Sequence, residues 1–274
     1  MTLDAELIRQ GIAEMTSTAC HIDIFDELDS TNKHLARQLA AEPSLALPRL
    51  CVAVHQSAGV GRRGRVWHSP ISSITLSLIQ RFEKPSSALM GLSLVTGIAL
   101  AELLKRQVAQ DKSAELSVKW PNDILAGDRK LGGILIEVPQ TSASNCTVIT
   151  GIGINLSQGE ELLQVDQPYA VLESLLNRLP EQSQLTGNIA GAVLRSYEEF
   201  EQSGWQNFAD RWAAVDYLHG KAVTVSQTAI GDRASEPVSG IAKGVAIDGG
   251  LMVQHAEQQK IWYSGEISVR ADLN

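Results

Sequence analysis

Cysteine is scarce in this chain of 274 residues: Cys20, Cys51 and Cys146 are odd in number and widely scattered. Neither a disulfide framework nor CxxC metal spacing is available, and a reducing, cytoplasmic setting is expected. The six histidines have no metal-ligand spacing, so no protein-derived metal site is expected. Walker A, GxSxG and HExxH patterns are all missing, which removes three common routes to phosphate, acyl and metal chemistry. Positive charge is in deficit. With 23 Lys and Arg against 31 Asp and Glu, the formal net charge is −8. No global basic field exists to hold nucleic acid, and no nucleic-acid partner is expected, although a local basic patch is still allowed. No apolar run reaches the ~20 residues of a bilayer span. Ala88 to Leu104 is broken by Gly91, Ser93, Thr96, Gly97 and Glu102 and reads as a buried core helix, so no membrane is expected. The first six residues show neither a basic n-region nor an apolar h-region, which argues against a secretory signal.

What is present is a soluble globular composition, 44% hydrophobic and 20% charged. Leu3, Leu7, Ile8, Ile12 and Met15 share a helical face. His21 to Leu28 reads as a strand, and Ser30 as the N-cap of a helix to about Ala41. Leu50 to His55 is a short strand, followed by a glycine and arginine loop over 56–65. Ser73 to Phe82 alternates as a half-buried strand, with Ser73, Thr75 and Ser77 outward. Strands over 117–119 and 124–126 flank Trp120-Pro121-Asn122-Asp123, and 130–138 and 146–154 are β-branched runs. Helices are expected over roughly 168–178 and 187–202. From about Tyr217, short strands (222–226, 239–247, 251–255, 259–263) alternate with turns such as Asp248-Gly249-Gly250. The expectation is an α/β (α+β) domain over 1–212 and a small all-β domain of SH3-like size over 217–274.

The segment Gly59-Val60-Gly61-Arg62-Arg63-Gly64 fits G-x-G-x-x-G, but Pro70 and the next strand argue against the helix that a dinucleotide fingerprint must open. The loop offers instead Arg62, Arg63 and Arg65 among glycines, a combination suited to phosphate oxygens. Trp67 follows, either a core residue or a platform for a nucleobase. Lys119-Trp120-Pro121-Asn122-Asp123 reads as a polar turn, with Lys130 seven residues on. Gly151 and Gly153 sit at a strand end where a flat ligand could pack, unless they mark a β-bulge.

In this order and spacing, the motifs resemble the biotin–protein ligases. The resemblance rests on Asp29-Ser30-Thr31-Asn32, on the run from Gln56 to Trp67, on Lys119 to Asp123, on Lys130-Leu131-Gly132-Gly133-Ile134-Leu135-Ile136-Glu137, on Gly151 to Leu156 and on Gly265-Glu266-Ile267-Ser268. It implies a mixed-sheet catalytic domain resembling class II aminoacyl-tRNA synthetases and an SH3-like C-terminal β-barrel. It also implies a two-step reaction: biotin and MgATP give biotinyl-5′-AMP, and biotin then passes to a lysine of a biotin carboxyl carrier domain. By the same resemblance, Ser30, Thr31, Asn32, Gln56, Val60, Gly61, Arg62, Lys130, Gly133, Gly151 and Gly153 form the biotin site. Arg62, Arg65, Trp67, Asn122, Lys130 and Asn155 form the ATP and adenylate site, and Lys130, Arg62 and Asp123 are the catalytic candidates. Asp123 would orient or deprotonate the incoming lysine, and the 59–66 loop would order over the intermediate and keep water out.

The family usually carries arginine where this chain has Val60, so a weaker hold on the intermediate is expected. With Ser30 so near the start, no helix-turn-helix repressor domain is expected. Members occur as monomers and as dimers, which leaves a homodimer open. The rival readings are a lipoate or octanoyl ligase of the same superfamily and a non-catalytic biotin sensor.

Overall fold

The computed structural model describes residues 2–69, 72–108, 110–159, 168–227, 236–263 and 267–271. Gly265 and Glu266 of the quoted terminal motif lie outside them. Two sheets organise the chain. The first has seven strands: β1 (His21–Leu28), β2 (Arg49–Gln56), β3 (Ser73–Phe82), β4 (Leu116–Lys119), β5 (Asp123–Ala126), β6 (Arg129–Thr141) and β7 (Cys146–Asn155). Their order is β1-β2-β3-β7-β6-β5-β4, with β1–β2 parallel and the other neighbours antiparallel, so the sheet is mixed.

Helices α1 (Ala5–Met15), α3 (Leu92–Gln107) and α4 (Gln182–Ser203) lie together against one face, and α2 (Thr31–Ala41) packs on the other. The face under α1, α3 and α4 is mainly apolar, with Leu50, Val52, Ile74, Leu76, Leu78, Ile152 and Ile154 in the main core and the buried Thr150 hydroxyl bonded to Tyr197 of α4 at 2.7 Å. The opposite face is apolar beneath α2, at Cys51, Ile79 and Ile149 under Leu35 and Leu39. Towards the N-terminus of α2 the same face turns polar or glycine, at Thr75 and Ser77 on β3 and at Gly151 and Gly153 on β7. A helix end thus leaves a hollow on a sheet that is otherwise closed.

Two expectations are corrected here, and one open alternative is closed. Ser73, Thr75 and Ser77 do not face solvent; each is at most 1% exposed, with Thr75 Oγ1 donating to Ala53 O at 2.6 Å and Ser77 Oγ bonded to Thr31 and Asn32 at the start of α2. The stretch 168–178 contributes only a 3₁₀ turn, Leu172–Leu175, because Tyr169 bridges to Lys130 in extended form. Gly151 and Gly153 are not a bulge, since β3 pairs with β7 in continuous register from Ser73↔Asn155 to Phe82↔Cys146.

The second sheet comprises β8 (Ala222–Gln227), β9 (Val238–Val245), β10 (Leu251–His255), β11 (Gln258–Trp262) and β12 (Ile267–Ala271), in the antiparallel order β11-β10-β9-β8-β12. It follows a short α5 (Ala209–Ala213) and is anchored to the first sheet at the outer edge of β4. There Val118 donates to the Val215 carbonyl at 2.7 Å and accepts from the Tyr217 amide at 3.0 Å. The Trp120 indole N–H adds a bond of 3.0 Å to the Gly249 carbonyl in the β9–β10 turn. α3 takes up most of the apolar 88–104 run of the sequence, whose first residues belong to a separate 3₁₀ turn, Ser86–Leu89, and its central turns are buried in the core.

Candidate functional site

The hollow beyond α2 is a cavity of about 470 Å³. Every residue assigned from the sequence to biotin, ATP or catalysis lines it. The size lies within the range of small-molecule sites.

At one end the floor is a buried polar network. Ser30 occupies the N-cap position of α2, as its sequence suggests, but its side chain makes no capping bond. The first helical amide is satisfied in trans: Thr31 N donates to Gln56 Oε1 at 2.8 Å. Gln56 Nε2 in turn donates to Ser69 Oγ at 3.0 Å, which fixes the orientation of the amide. Thr31 Oγ1 lies 3.1 Å from Gln56 Oε1 and 2.6 Å from Ser77 Oγ. Ser77 Oγ is 2.5 Å from Asn32 Oδ1, and Asn32 Nδ2 donates to Glu137 Oε2 at 2.6 Å. All of these residues but Glu137 are buried, so each unmatched donor or acceptor would cost about 1–3 kcal/mol. A ligand held here must therefore carry complementary polar atoms.

The middle of the floor is backbone. A Cβ on Gly151 would lie 2.4 Å from Asn32 Oδ1, and one on Gly153 would lie 2.3 Å from the Trp67 indole. Trp67 lies flat against this glycine step and beside Gly133, with Lys130 Nζ 5.6 Å from its ring centroid. Its Nε1 is buried and has no hydrogen-bond partner, an unusual condition for an indole N–H in a folded interior.

The far end is charged. The loop over 59–67 is a tight hairpin in which Val60 bridges Val66 and the Trp67 amide donates to Gly59 O at 3.0 Å. After Gly61 it forms a single 3₁₀ turn, Arg62–Gly64, rather than the long helix a dinucleotide fingerprint would open. Arg62 Nη1 reaches Asn122 Oδ1 at 3.1 Å, while Asn122 Nδ2 donates to Ile134 O at 2.9 Å. Asn122 thereby ties the Trp-Pro turn to both the arginine loop and β6. Burial lowers the Arg62 pKa from its ordinary value, and the nearby Asp123 charge acts in the opposite direction. Lys130 Nζ pairs with Asp123 Oδ1 at 2.7 Å, both side chains being largely buried. Asn155 Nδ2 donates to Lys130 O and Ala170 O, at 3.3 and 3.1 Å, and holds together two segments of the rim. Arg62, Arg63, Arg65, Lys119 and Lys130 all line one cavity in a protein of net charge −8. That concentration suits a polyanion.

Sequence reasoning missed Ser69, Ser77, Glu137, Tyr169 and Val269. Ser77 carried a misleading signal, since alternation placed it on a solvent face. Tyr169 and Val269 reach the cavity from distant segments and carry no local signal.

The biotin/lipoate A/B protein ligase family profile matches residues 24–155, and that of the biotin protein ligase C terminal domain matches residues 219–270. The bifunctional ligase/repressor BirA of Escherichia coli (strain K12) is 34% identical over 252 residues, 91% of this chain and 74% of that protein. The biotin–[acetyl-CoA-carboxylase] ligase of Mycobacterium tuberculosis is 30% identical over 267 residues, covering 97% of this chain and 95% of that protein. Among solved structures, the biotin protein ligase from Aquifex aeolicus in complex with biotin and ATP aligns with a TM-score of 0.75 at 24% identity, over 92% of this chain and 99% of that one.

Proposed function

From the fact that this chain belongs to the biotin/lipoate A/B protein ligase family, we infer its reaction from the cavity. It is an ATP-dependent biotin–protein ligase. The observation that carries this reading is the joining, in one 470 Å³ cavity, of a buried polar floor to a cluster of cations. A ligase that activates a carboxylic acid on ATP needs both halves side by side. The match to the biotin protein ligase C-terminal domain favours biotin over lipoate.

In the proposed mechanism the ureido head of biotin meets Ser30, Thr31 and Gln56, and its apolar rings and chain run along the glycine backbone at Gly133, Gly151 and Gly153. Val60, Gly61 and Arg62 close over it, with Asn32 behind. The biotin carboxylate then lies near Arg62 and Lys130. There it attacks the α-phosphorus of ATP, forming the acyl–phosphate bond as the bond to pyrophosphate breaks. Two anions approach in this step, and the cations offset their repulsion and the charge that develops. Arg65 serves the phosphates, the outer face of Trp67 the adenine, and Asn122 and Asn155 the adenosine surroundings. Magnesium enters with ATP as its phosphate complex; among the described residues no three His, Cys, Asp or Glu side chains are grouped to hold a metal.

In the second step a carrier lysine attacks the acyl carbon and AMP leaves. A free lysine, with a pKa of ~10.4, must first lose a proton. Asp123 is proposed as the group that orients the ammonium and receives that proton, once the incoming phosphates have drawn Lys130 from it. The names of the relatives point to acetyl-CoA carboxylase as the source of the carrier, and we propose a lysine of its biotin carboxyl carrier domain as the acceptor.

The test is ATP-dependent pyrophosphate release with biotin and with lipoate in parallel, followed by transfer to a carrier domain with and without its target lysine. Biotin-only turnover that labels the intact carrier is expected. Equal turnover with lipoate would move the protein to the sister activity, and tight biotin binding without pyrophosphate would make it a sensor.

A further inference from the structure

Glu137 lies outside the cavity, exposed on β6, yet its carboxylate is joined to the ligand floor through Asn32, Ser77 and Thr31. The direction of every hydrogen in this chain follows from chemistry. A carboxylate only accepts, so the Asn32 atom 2.6 Å away must be the amide nitrogen, and Oδ1 must face Ser77. Oδ1 has no hydrogen of its own. At 2.5 Å the hydrogen between it and Ser77 must therefore come from Ser77. Ser77 then has none left for Thr31, whose hydroxyl oxygen is 2.6 Å from it. Two oxygens that close need a hydrogen between them, and only Thr31 can supply it. Thr31 thus donates to Ser77, Ser77 to Asn32 and Asn32 to Glu137.

Thr31 lines the cavity, and its single hydrogen is committed. Towards a ligand its hydroxyl offers lone pairs only. Gln56 is the weaker claimant to that hydrogen: its Oε1 can accept a second one beside the Thr31 amide's, but it stands farther away, at 3.1 Å, and diverting the hydrogen there would leave the Thr31 and Ser77 oxygens 2.6 Å apart with nothing between them.

We propose that Glu137, acting through Asn32 and Ser77, is a positioning residue that makes Thr31 an obligate acceptor and so selects a ligand presenting an N–H at this point. The proposal rests on the biotin reading, in which that N–H belongs to the ureido ring. A ring oxygen in the same place would meet a lone pair that cannot turn away. A site built to bond an N–H rejects an analogue lacking it far more strongly than apolar packing can.

The experiment measures pyrophosphate exchange with biotin and with two cyclic-carbamate analogues, in each of which one ureido N–H is replaced by an ether oxygen. The proteins are the wild type, Glu137→Lys, Glu137→Gln and Ser77→Ala, each checked for a native thermal transition. Lysine can only donate, so Asn32 reverses its amide, Ser77 passes its hydrogen to Thr31, and the Thr31 hydrogen is released. Ser77→Ala releases it directly. In both variants the kcat/KM preference for biotin over one of the carbamates should fall at least tenfold, with KM for ATP within twofold of wild type. Glutamine can still accept from Asn32, so Glu137→Gln should keep the wild-type preference. A preference unchanged within twofold in both Glu137→Lys and Ser77→Ala, or biotin and both carbamates weakened by the same factor, overturns the proposal. Wild type without biotin-dependent exchange would instead overturn the ligase reading itself.

Discussion

A glycine in this cavity is defined by what its missing side chain would strike. At Gly153 a Cβ would fall 2.3 Å from the Trp67 indole, too close for any carbon, so Gly153→Ala must push the ring off the sheet. The strand register, set by pairing with Thr75 on β3 and Gly133 on β6, does not need the glycine and should persist. Fold and site thus separate at one position. We expect Gly153→Ala to keep a cooperative thermal transition and to raise KM for ATP about tenfold, or about 1.4 kcal/mol. Pyrophosphate exchange at varied ATP measures it, and an unchanged KM would show that Trp67 does not carry the nucleotide. At this scale the sequence was informative wherever a residue type is chemically costly. Arginines among glycines, or a lysine and an aspartate around a proline turn, have few bland explanations. It was uninformative for Ser77 and Glu137, because serine and glutamate on an alternating strand look the same whether water or a buried hydroxyl is their partner.

Among the elements, the strands were the most legible, since a period of two is hard to imitate. The His21–Leu28 strand falls where its alternation places it. The stretch 168–178 failed because its residues answer to a distant partner, Lys130, which no local window contains. The loop over 59–67 combines both situations. Its hairpin closure is local, through the Gly59–Trp67 and Val60–Val66 pairs, while its middle is strained: Arg63 stands at φ 61°, a left-handed conformation that an arginine adopts at a cost. Arg63 and Arg65 are exposed there. A polyanion in the cavity would draw these guanidiniums inward and stiffen the hairpin. Biotin plus ATP should therefore slow tryptic cleavage after Arg63 and Arg65 about tenfold, as expected for local opening that must wait for ligand release. Mass spectrometry of the fragments reads this out. Equal rates with and without ligand would remove the loop from any role in shielding the adenylate.

At the scale of the whole molecule, the change of texture near Tyr217 was visible in the sequence, whereas the joint between the two sheets was not, being built from single residues of ordinary type. Asp216 sits at that joint. It accepts from Trp212 Nε1 at 3.0 Å and from the Leu218 amide at 2.9 Å, beside the backbone that pairs with Val118. Burial raises its pKa above the ordinary carboxylate value, and the two hydrogen bonds and His219 only partly oppose this. The consequence for stability has a definite sign. Between the unfolded pKa, near 3.9, and the raised folded value, the folded chain holds a proton that the unfolded chain has released. Stability from this group is fully present below the lower value and is lost as pH rises through the higher one. Asp216→Asn has no proton to lose. Its stability relative to wild type should therefore climb from pH 3.5 towards neutrality and then level off, whatever its offset from the lost acceptor. Urea unfolding of both proteins across that range gives the difference directly. A flat difference would mean that Trp212 and Leu218 cancel the effect of burial, and a falling one that they outweigh it and the joint stabilises the ionised carboxylate.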